Sequence, residues 1–333
     1  MHQEAAEAPL AVERMLAANA SAVARLAADL RKKAPRAVVT CARGSSDHAA
    51  TYAKYLIETR AGVITSSAAM SVASIYDARP DMTGVLMLAI SQSGRSPDLL
   101  ASVGAAREAG ARVVALVNDE SSPLAEIAEV TLPLHAGPEK SVAATKSFIT
   151  ALASVAQLVA AWTEDHELGS ALTALPVQLE QAWKADWSAA EPPLLKAQSL
   201  YVLGRGVGFA AAQEAALKFK ETCGLHAEAF SAAEVLHGPM ALIDQHFPLL
   251  MFAQDDASCE GVLSVADLFT ERGAPVLLAG AQRPGALPFV AGHPTVQPML
   301  LIQSFYRLAN DLSLARGLDP DNPPHLRKVT ETV

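Results

Sequence analysis

Residues 85–96 read Val-Leu-Met-Leu-Ala-Ile-Ser-Gln-Ser-Gly-Arg-Ser. An apolar run stops at hydroxyl residues, an amide and a glycine. Pro97 and Asp98 follow, and helical spacing opens at Leu99. That order predicts a strand, a polar turn and a helix N-terminus. The first amides of a helix lack partners in the chain, and its dipole favours negative charge there. Ser91, Ser93 and Ser96 add hydroxyl donors, Gln92 adds an amide, and Gly94 lets a ligand approach the backbone. A phosphate monoester suits such a turn. An ordinary capped helix also starts with Ser and Pro, but three hydroxyls and a Gln within six residues exceed what capping needs.

Outward from this turn, apolar runs at 37–41, 63–66, 112–117 and 130–134 read as further strands. Helical spacing fills 10–32, 47–58, 68–76, 97–109, 123–128 and 145–162. The strands are continuous apolar runs rather than alternating ones, which predicts an α/β fold with a parallel sheet covered on both faces. Residues 163–197 read as a helix with Pro-rich connectors, and the pattern then restarts. Strands are expected at 199–203, 247–252 and 275–279, and helices at 210–222, 262–271 and 298–315, with a further helical segment opening at 232. The expected organisation is an N-terminal helical segment 1–30, a first domain 31–165, a linker helix and second domain 166–315, and a tail 316–333.

The two halves echo each other. Val-Thr-Cys-Ala-Arg-Gly (39–44) aligns with Tyr-Val-Leu-Gly-Arg-Gly (201–206), and the later strands align at a similar offset of about 162 residues. Such self-similarity points to an internal duplication. The copies diverge at the polar turn: where the first has Ser-Gln-Ser-Gly, the second has Gln254-Asp255-Asp256-Ala257. Two carboxylates repel a phosphate, so only the first copy is expected to bind one. Gly44-Ser45-Ser46 follows the first strand and is the natural partner of the 91–96 turn. In open α/β sheets, ligands bind beyond the carboxyl ends of strands at a switch in strand order.

The composition, 51% hydrophobic and 18% charged over 333 residues, supports a large core. A net charge of −9 without a basic block argues against a nucleic-acid partner. Three well-separated cysteines with no Cys-x-x-Cys read as reduced thiols of a cytoplasmic protein. The polar, acidic first residues do not resemble a signal peptide. The weakly polar stretch 148–162 is too short for a membrane span.

Reactive side chains concentrate in the second half. Glu214, Lys218 and Glu221 stand at i, i+4 and i+7, on one helix face. A solvated salt-bridge stripe would look the same. Against it stands context: the helix follows the first strand of a duplicated domain, and His226, Glu228, Glu234 and His237 follow among small apolar residues, as in a lined cavity. The histidine spacing is not that of a metal-ligand set, so no metal and no cofactor is expected. Gly204, Gly206 and Gly208 lack the third-glycine spacing and the later acidic residue of a dinucleotide turn. No Gly-x-Ser-x-Gly elbow is present, which argues against acyl transfer. A carboxylate and an imidazole suit proton transfer between adjacent sugar carbons and ring opening. A lysine can stabilise an enolate, hold a carboxylate in place or form an imine.

The stretches 91–96, His-Ala-Gly-Pro-Glu-Lys-Ser-Val-Ala-Ala-Thr-Lys (135–146), Glu-Ala-Ala-Leu-Lys-Phe-Lys-Glu (214–221), His-Ala-Glu-Ala-Phe (226–230), Glu-Val-Leu-His-Gly-Pro-Met-Ala-Leu-Ile-Asp (234–244) and Pro-His-Leu-Arg-Lys (324–328) run in one order over nearly the whole chain. Together they resemble the tandem sugar-isomerase (SIS) domain proteins, in particular the isomerase half of glucosamine-6-phosphate synthase. The resemblance implies two duplicated SIS domains, each a parallel sheet flanked by helices in three layers. It implies that Ser45, Ser46, Ser91, Gln92, Ser93 and Ser96 bind the phosphosugar, with Val142 lining the sugar. By the same resemblance Glu221 is the base that moves a proton between C1 and C2, with Glu214 and Lys218 as its partners. His237 opens the ring from the neighbouring subunit of a homodimer with a shared active site, and Lys328 is a tail lysine that reaches the substrate carbonyl.

Two departures stand out. Ala144 replaces a sugar-binding serine, and His2 follows Met1 where the synthase has a nucleophilic Cys. The expectation is a chain without a glutaminase domain, similar to the second type of glucosamine-6-phosphate deaminase. Such an enzyme converts glucosamine-6-phosphate and water to fructose-6-phosphate and ammonia. The alternatives are a galactosamine-6-phosphate deaminase, a transaminase drawing on ammonia or a separate glutaminase, and a non-catalytic phosphosugar sensor. A sensor is expected to have lost Glu221, His237 or Lys328, and all three are present.

Overall fold

The computed structural model describes residues 1–328. The chain forms α1 (His2–Ala6), α2 (Ala8–Lys32), β1 (Ala37–Cys41), α3 (Ser45–Leu56), β2 (Thr65–Ser67), α4 (Ser71–Ser74), β3 (Val85–Ser91), α5 (Pro97–Glu108), β4 (Arg112–Val117), α6 (Pro123–Ile127), β5 (Val130–Pro133) and α7 (Lys146–Thr163). It continues with α8 (His166–Trp183), α9 (Glu191–Lys196), β6 (Ser199–Gly204), α10 (Gly208–Cys223), β7 (His226–Ser231), β8 (Leu249–Phe252), α11 (Cys259–Glu271), β9 (Val276–Ala279) and α12 (Gln297–Ala315). Two compact units result. The first-sheet unit holds Leu10–Glu139, Lys146–Thr173 and the described residues 327–328. The second-sheet unit holds Met1–Pro9, Lys140–Thr145 and Ala174–Leu326.

In the first-sheet unit five parallel strands take the order β2-β1-β3-β4-β5. Parallel neighbours need crossover helices, and those helices cover both faces. The continuous apolar strands follow from that cover: every residue of β3 is buried. On one face Met87, Ala89, Val113, Ala115 and Val117 meet Leu99 and Val103 of α5 and Leu124 of α6. β1, β3 and β4 coincide with the runs that predict them. Around β2 the pattern is shorter than expected: the helix foreseen at 68–76 is a single turn, α4.

The second-sheet unit repeats the plan with four parallel strands in the order β7-β6-β8-β9. The duplication seen in the sequence is therefore also a duplication of topology, with β7 standing where β2 stands. β7 is the element that sequence pattern misses. His-Ala-Glu-Ala-Phe-Ser has no β-branched residue, and its strand state comes from six register pairs to β6. Tertiary pairing overrides propensity at such an edge. The helical segment expected from 232 is two short 3-10 turns, Glu234–His237 and Pro239–Leu242.

The core of this unit includes an aromatic chain. Phe305 of α12 meets Phe219 of α10 edge-on at 5.0 Å and Phe252 of β8 at 6.5 Å. Trp187 lies 6.3 Å from Phe252. These contacts lock α12 onto α10, the helix that carries Glu214, Lys218 and Glu221. Phe305→Ala leaves a cavity among them and is expected to destabilise the unit by about 3–5 kcal/mol, read as a lower urea midpoint of tryptophan fluorescence.

Candidate functional site

The hydroxyl-rich turn sits where the strand order reverses. β1 pairs with β2 on one side and β3 on the other, so the loops after β1 and β3 leave adjacent strands at the same end and part around a crevice. Gly44-Ser45-Ser46 opens α3 from one loop, and 91–96 leads into α5 from the other. Ser45, Ser46, Gln92, Ser93 and Ser96 are half-buried. Ser96 occupies the N-cap position of α5, yet its side chain makes no capping hydrogen bond. That separates this turn from an ordinary capped helix, because the hydroxyl is not consumed by its own helix. Ser91 is buried and its Oγ accepts the Gly94 amide at 3.0 Å, which shapes the turn.

Two further residues hold the crevice, and neither stands out in the sequence. Arg43, after β1, donates to Oδ2 of Asp98, at the start of α5, from Nε at 3.0 Å and from Nη2 at 2.7 Å. Asp98 is buried. This forked pair ties the two loops together across the switch in strand order. Arg95, inside the turn, is itself paired with Asp119 at 2.8 Å.

Gly94 has a different job from the one its place in the turn suggests. It has φ +64°, and a Cβ there would fall 2.3 Å from Ser122 Oγ and 2.6 Å from Ser122 Cβ. The missing side chain lets the turn sit on the N-cap of α6, rather than opening the backbone to a ligand.

The duplicated crevice of the second-sheet unit is closed by its own side chains. Gln254, fully buried, donates through Nε2 to the Arg205 carbonyl at 2.7 Å and to Ser258 Oγ at 2.8 Å. Asp256 Oδ1 accepts from the Ser258 amide and hydroxyl. The loops after β6 and β8 are thus stitched to each other. A Cβ on Gly208 would lie 2.3 Å from Gln254 Oε1, and one on Gly204 would lie 2.6 Å from the Gly208 carbonyl. Close packing explains the Gly204-x-Gly-x-Gly208 run without any nucleotide.

On α10 of the same unit the three charged residues are not a solvated stripe. Glu214 and Lys218 are fully buried, and the Glu221 side chain is 22% exposed. Lys218 Nζ lies 3.4 Å from Glu214 Oε1 and is hydrogen-bonded to Glu221 Oε2. Burial by itself would depress the Lys218 ammonium, but the carboxylates of Glu214 and Glu221 outweigh it and hold it above the ordinary lysine value. Its contribution to stability is therefore complete below the ordinary lysine pKa of about 10.4 and is lost only as pH climbs through the raised folded value. Across neutral pH Lys218 is a fixed cation. Of the three roles open to a lysine, this geometry fits holding a carboxylate in place.

The other expected residues are distributed as follows. His237 ends a 3-10 turn and is exposed. His226 and Glu228 point outward from the edge strand β7, and Glu234 is exposed too. The cavity expected around these four is not formed within the unit, because strand alternation turns His226 and Glu228 to solvent. Val142 belongs to the second-sheet unit, where its amide donates to the Asp321 carbonyl at 3.2 Å. Lys328 belongs to the first-sheet unit, with Nζ 3.7 Å from Oε2 of Glu139, whose side chain is fully buried. Glu139 also accepts the Ser147 hydroxyl at 2.6 Å. The last five residues of the expected tail, 329–333, lie outside the described residues. No helix among the described residues is long and apolar enough to cross a membrane.

Comparison with known proteins agrees with this architecture. The SIS domain model matches residues 30–161 and 193–279, and the chain belongs to the SIS domain family. It is homologous to the isomerase part of the glutamine–fructose-6-phosphate aminotransferases. That of Aeropyrum pernix is 36% identical over 309 residues, covering 86% of this chain and 49% of the relative. The chain thus spans about half the length of the curated relatives it matches. Among solved structures, a putative phosphosugar isomerase from Silicibacter pomeroyi superposes with a TM-score of 0.92 at 46% identity, over 96% of this chain and 99% of that one. The C-terminal domain of the aminotransferase from Francisella tularensis gives 0.87 at 26% identity, over 96% and 97%.

Because a Cβ at position 94 meets Ser122 and the φ is left-handed, Gly94→Ala is expected to displace the turn and to destabilise the protein by about 1–3 kcal/mol. A lower unfolding temperature, with weaker binding of a hexose 6-phosphate in calorimetry, checks both effects.

Proposed function

We propose that this protein isomerises a hexosamine 6-phosphate and releases its nitrogen, converting glucosamine-6-phosphate and water to fructose-6-phosphate and ammonia. One observation carries the proposal: a carboxylate, Glu221, is partly open to solvent and held by a buried lysine, Lys218, whose two carboxylate partners keep it charged.

In this scheme Ser45, Ser46, Ser91, Gln92, Ser93 and Ser96, with the N-termini of α3 and α5, hold the phosphate dianion, and Val142 lines the sugar. His237 moves a proton between the ring oxygen and the anomeric hydroxyl, which opens the ring. Glu221 takes the proton from C2, leaving an enolamine, and returns it to C1. Lys218 and Glu214 keep Glu221 oriented through the transfer. Lys328 offers its ammonium to the oxygen on C1 as negative charge develops there. The C2 imine that results adds water and expels ammonia, so the proton moved, the water consumed and the ammonia released balance.

The surface of the second-sheet unit supports a homodimer with a shared active site. His237 is exposed between Leu236 and Leu242, which are 39% and 65% exposed. An exposed imidazole with exposed leucines on either side of it in the sequence suits delivery into a second copy of the chain.

The relatives named aminotransferases favour a second reading, in which the same residues run toward the amino sugar. That direction needs a nitrogen source. None of the three cysteines is suited to attack glutamine. Burial pushes the Cys41 thiol up to about 12 and Cys223 up to about 11, and raises Cys259 as well. Deamination needs only water as its second reactant.

Purified protein given glucosamine-6-phosphate is expected to release ammonia and fructose-6-phosphate in equal amounts. Binding without ammonia release overturns the proposal, and synthesis of glucosamine-6-phosphate from fructose-6-phosphate and ammonia alone selects the second reading. Glu221→Gln keeps the shape but cannot take the proton, so turnover is expected to vanish while ligand affinity stays nearly unchanged. Undiminished turnover removes Glu221 from its role. Ser93→Ala is expected to raise KM by the worth of one charge-assisted hydrogen bond, about 1.5–3 kcal/mol, with kcat little changed.

A further inference from the structure

The buried charges of α10 have a neighbour on another helix. Tyr306 of α12 is fully buried, and its Oη donates to Oε1 of Glu214 at 3.1 Å. The same Oε1 lies 3.4 Å from Lys218 Nζ, and Lys218 in turn holds Glu221. A phenol, a carboxylate, an ammonium and a second carboxylate therefore form one connected chain. Its inner members are removed from water, and its outer member, Glu221, is 22% exposed.

Such a chain fixes how Lys218 is shared. Hydrogen bonds in a dry environment are strong and act on one another along a network. The phenol supplies part of what Glu214 Oε1 would otherwise draw from the ammonium. Without it, that oxygen loses a donor and the ammonium shifts toward Glu214, loosening its hold on Glu221. A base free to turn spends less time aligned with a substrate proton, and misplacement of even 1 Å lowers the rate of a positioned proton transfer. Phosphate binding does not pass through α12, so substrate affinity has no reason to change.

We propose that Tyr306 is a positioning residue for proton transfer, acting on Glu221 through Glu214 and Lys218. This inference rests on the assignment of Glu221 as the base. Its test is a cycle of Tyr306→Phe, Glu214→Gln and the double variant, with ammonia release from glucosamine-6-phosphate as the assay and Glu221→Gln as control. Tyr306→Phe is expected to lower kcat about tenfold, to leave KM within twofold, and to have no further effect in the Glu214→Gln background. If Glu214→Gln does not fold, Glu214→Asp, which keeps the charge but withdraws the carboxylate from the phenol, replaces it.

A KM that rises in step with the loss of kcat, an unchanged kcat, or an equal loss in both backgrounds overturns the role of Tyr306. Absence of turnover in the unaltered protein, or full turnover in Glu221→Gln, instead fells the proposed function and the inference together. An inactive Glu221→Gln with an unaffected Tyr306→Phe fells the inference alone.

Discussion

Parallel strand pairing is the constraint from which the rest follows. A strand cannot return beside its predecessor in the same direction without a crossover. Helical crossovers cover both faces of the inner strands, so those strands are apolar and β3 is buried at every residue. The reversal of strand order between β1 and β3 then leaves a crevice that no crossover spans. At that crevice polar loops lead into the N-termini of α3 and α5. The location of a polar site is thus a consequence of topology, and residue choice decides only what the site does.

The two copies show that choice. In the first-sheet unit the loops are tied at their base by Arg43 and Asp98, and the Ser96 hydroxyl is left unused by its own helix. In the second-sheet unit the corresponding loops are joined by Gln254, and Asp256 is occupied by Ser258. A buried glutamine between loops removes the space and the donors that an anion needs. Duplication supplied two crevices, and substitution at a few loop positions kept one open and sealed the other.

Burying Lys218 is the second strong constraint. An unpaired ammonium in a dry core is untenable, and each partner left alone would be costly as well. The i, i+4, i+7 spacing places two carboxylates where one helix can satisfy the lysine without help from elsewhere. Tyr306 then completes Glu214 from α12, whose own position is set by the Phe219–Phe305 contact. Apolar packing of two helices thereby holds a polar chain in register.

Much of this was legible in the residues. Continuous apolar runs marked β1, β3 and β4, the order of strands and helices marked a parallel sheet, and the repeat at about 162 residues marked the duplication. The hydroxyl-rich turn and the Glu214-Lys218-Glu221 spacing were visible because they are local. β7 was not, since His226–Ser231 becomes a strand only by pairing with β6. Arg43–Asp98 and Tyr306–Glu214 were not, because their partners are 55 and 92 residues apart. Sequence by itself determined which groups are present and which of them share a strand end or a helix face, for these depend on the backbone's own periods. Tertiary structure alone decided which of them leave water: that Lys218 is a fixed cation, that His226 is solvent-facing, and that Gly94 serves packing. Burial and long-range pairing arise only when distant segments meet.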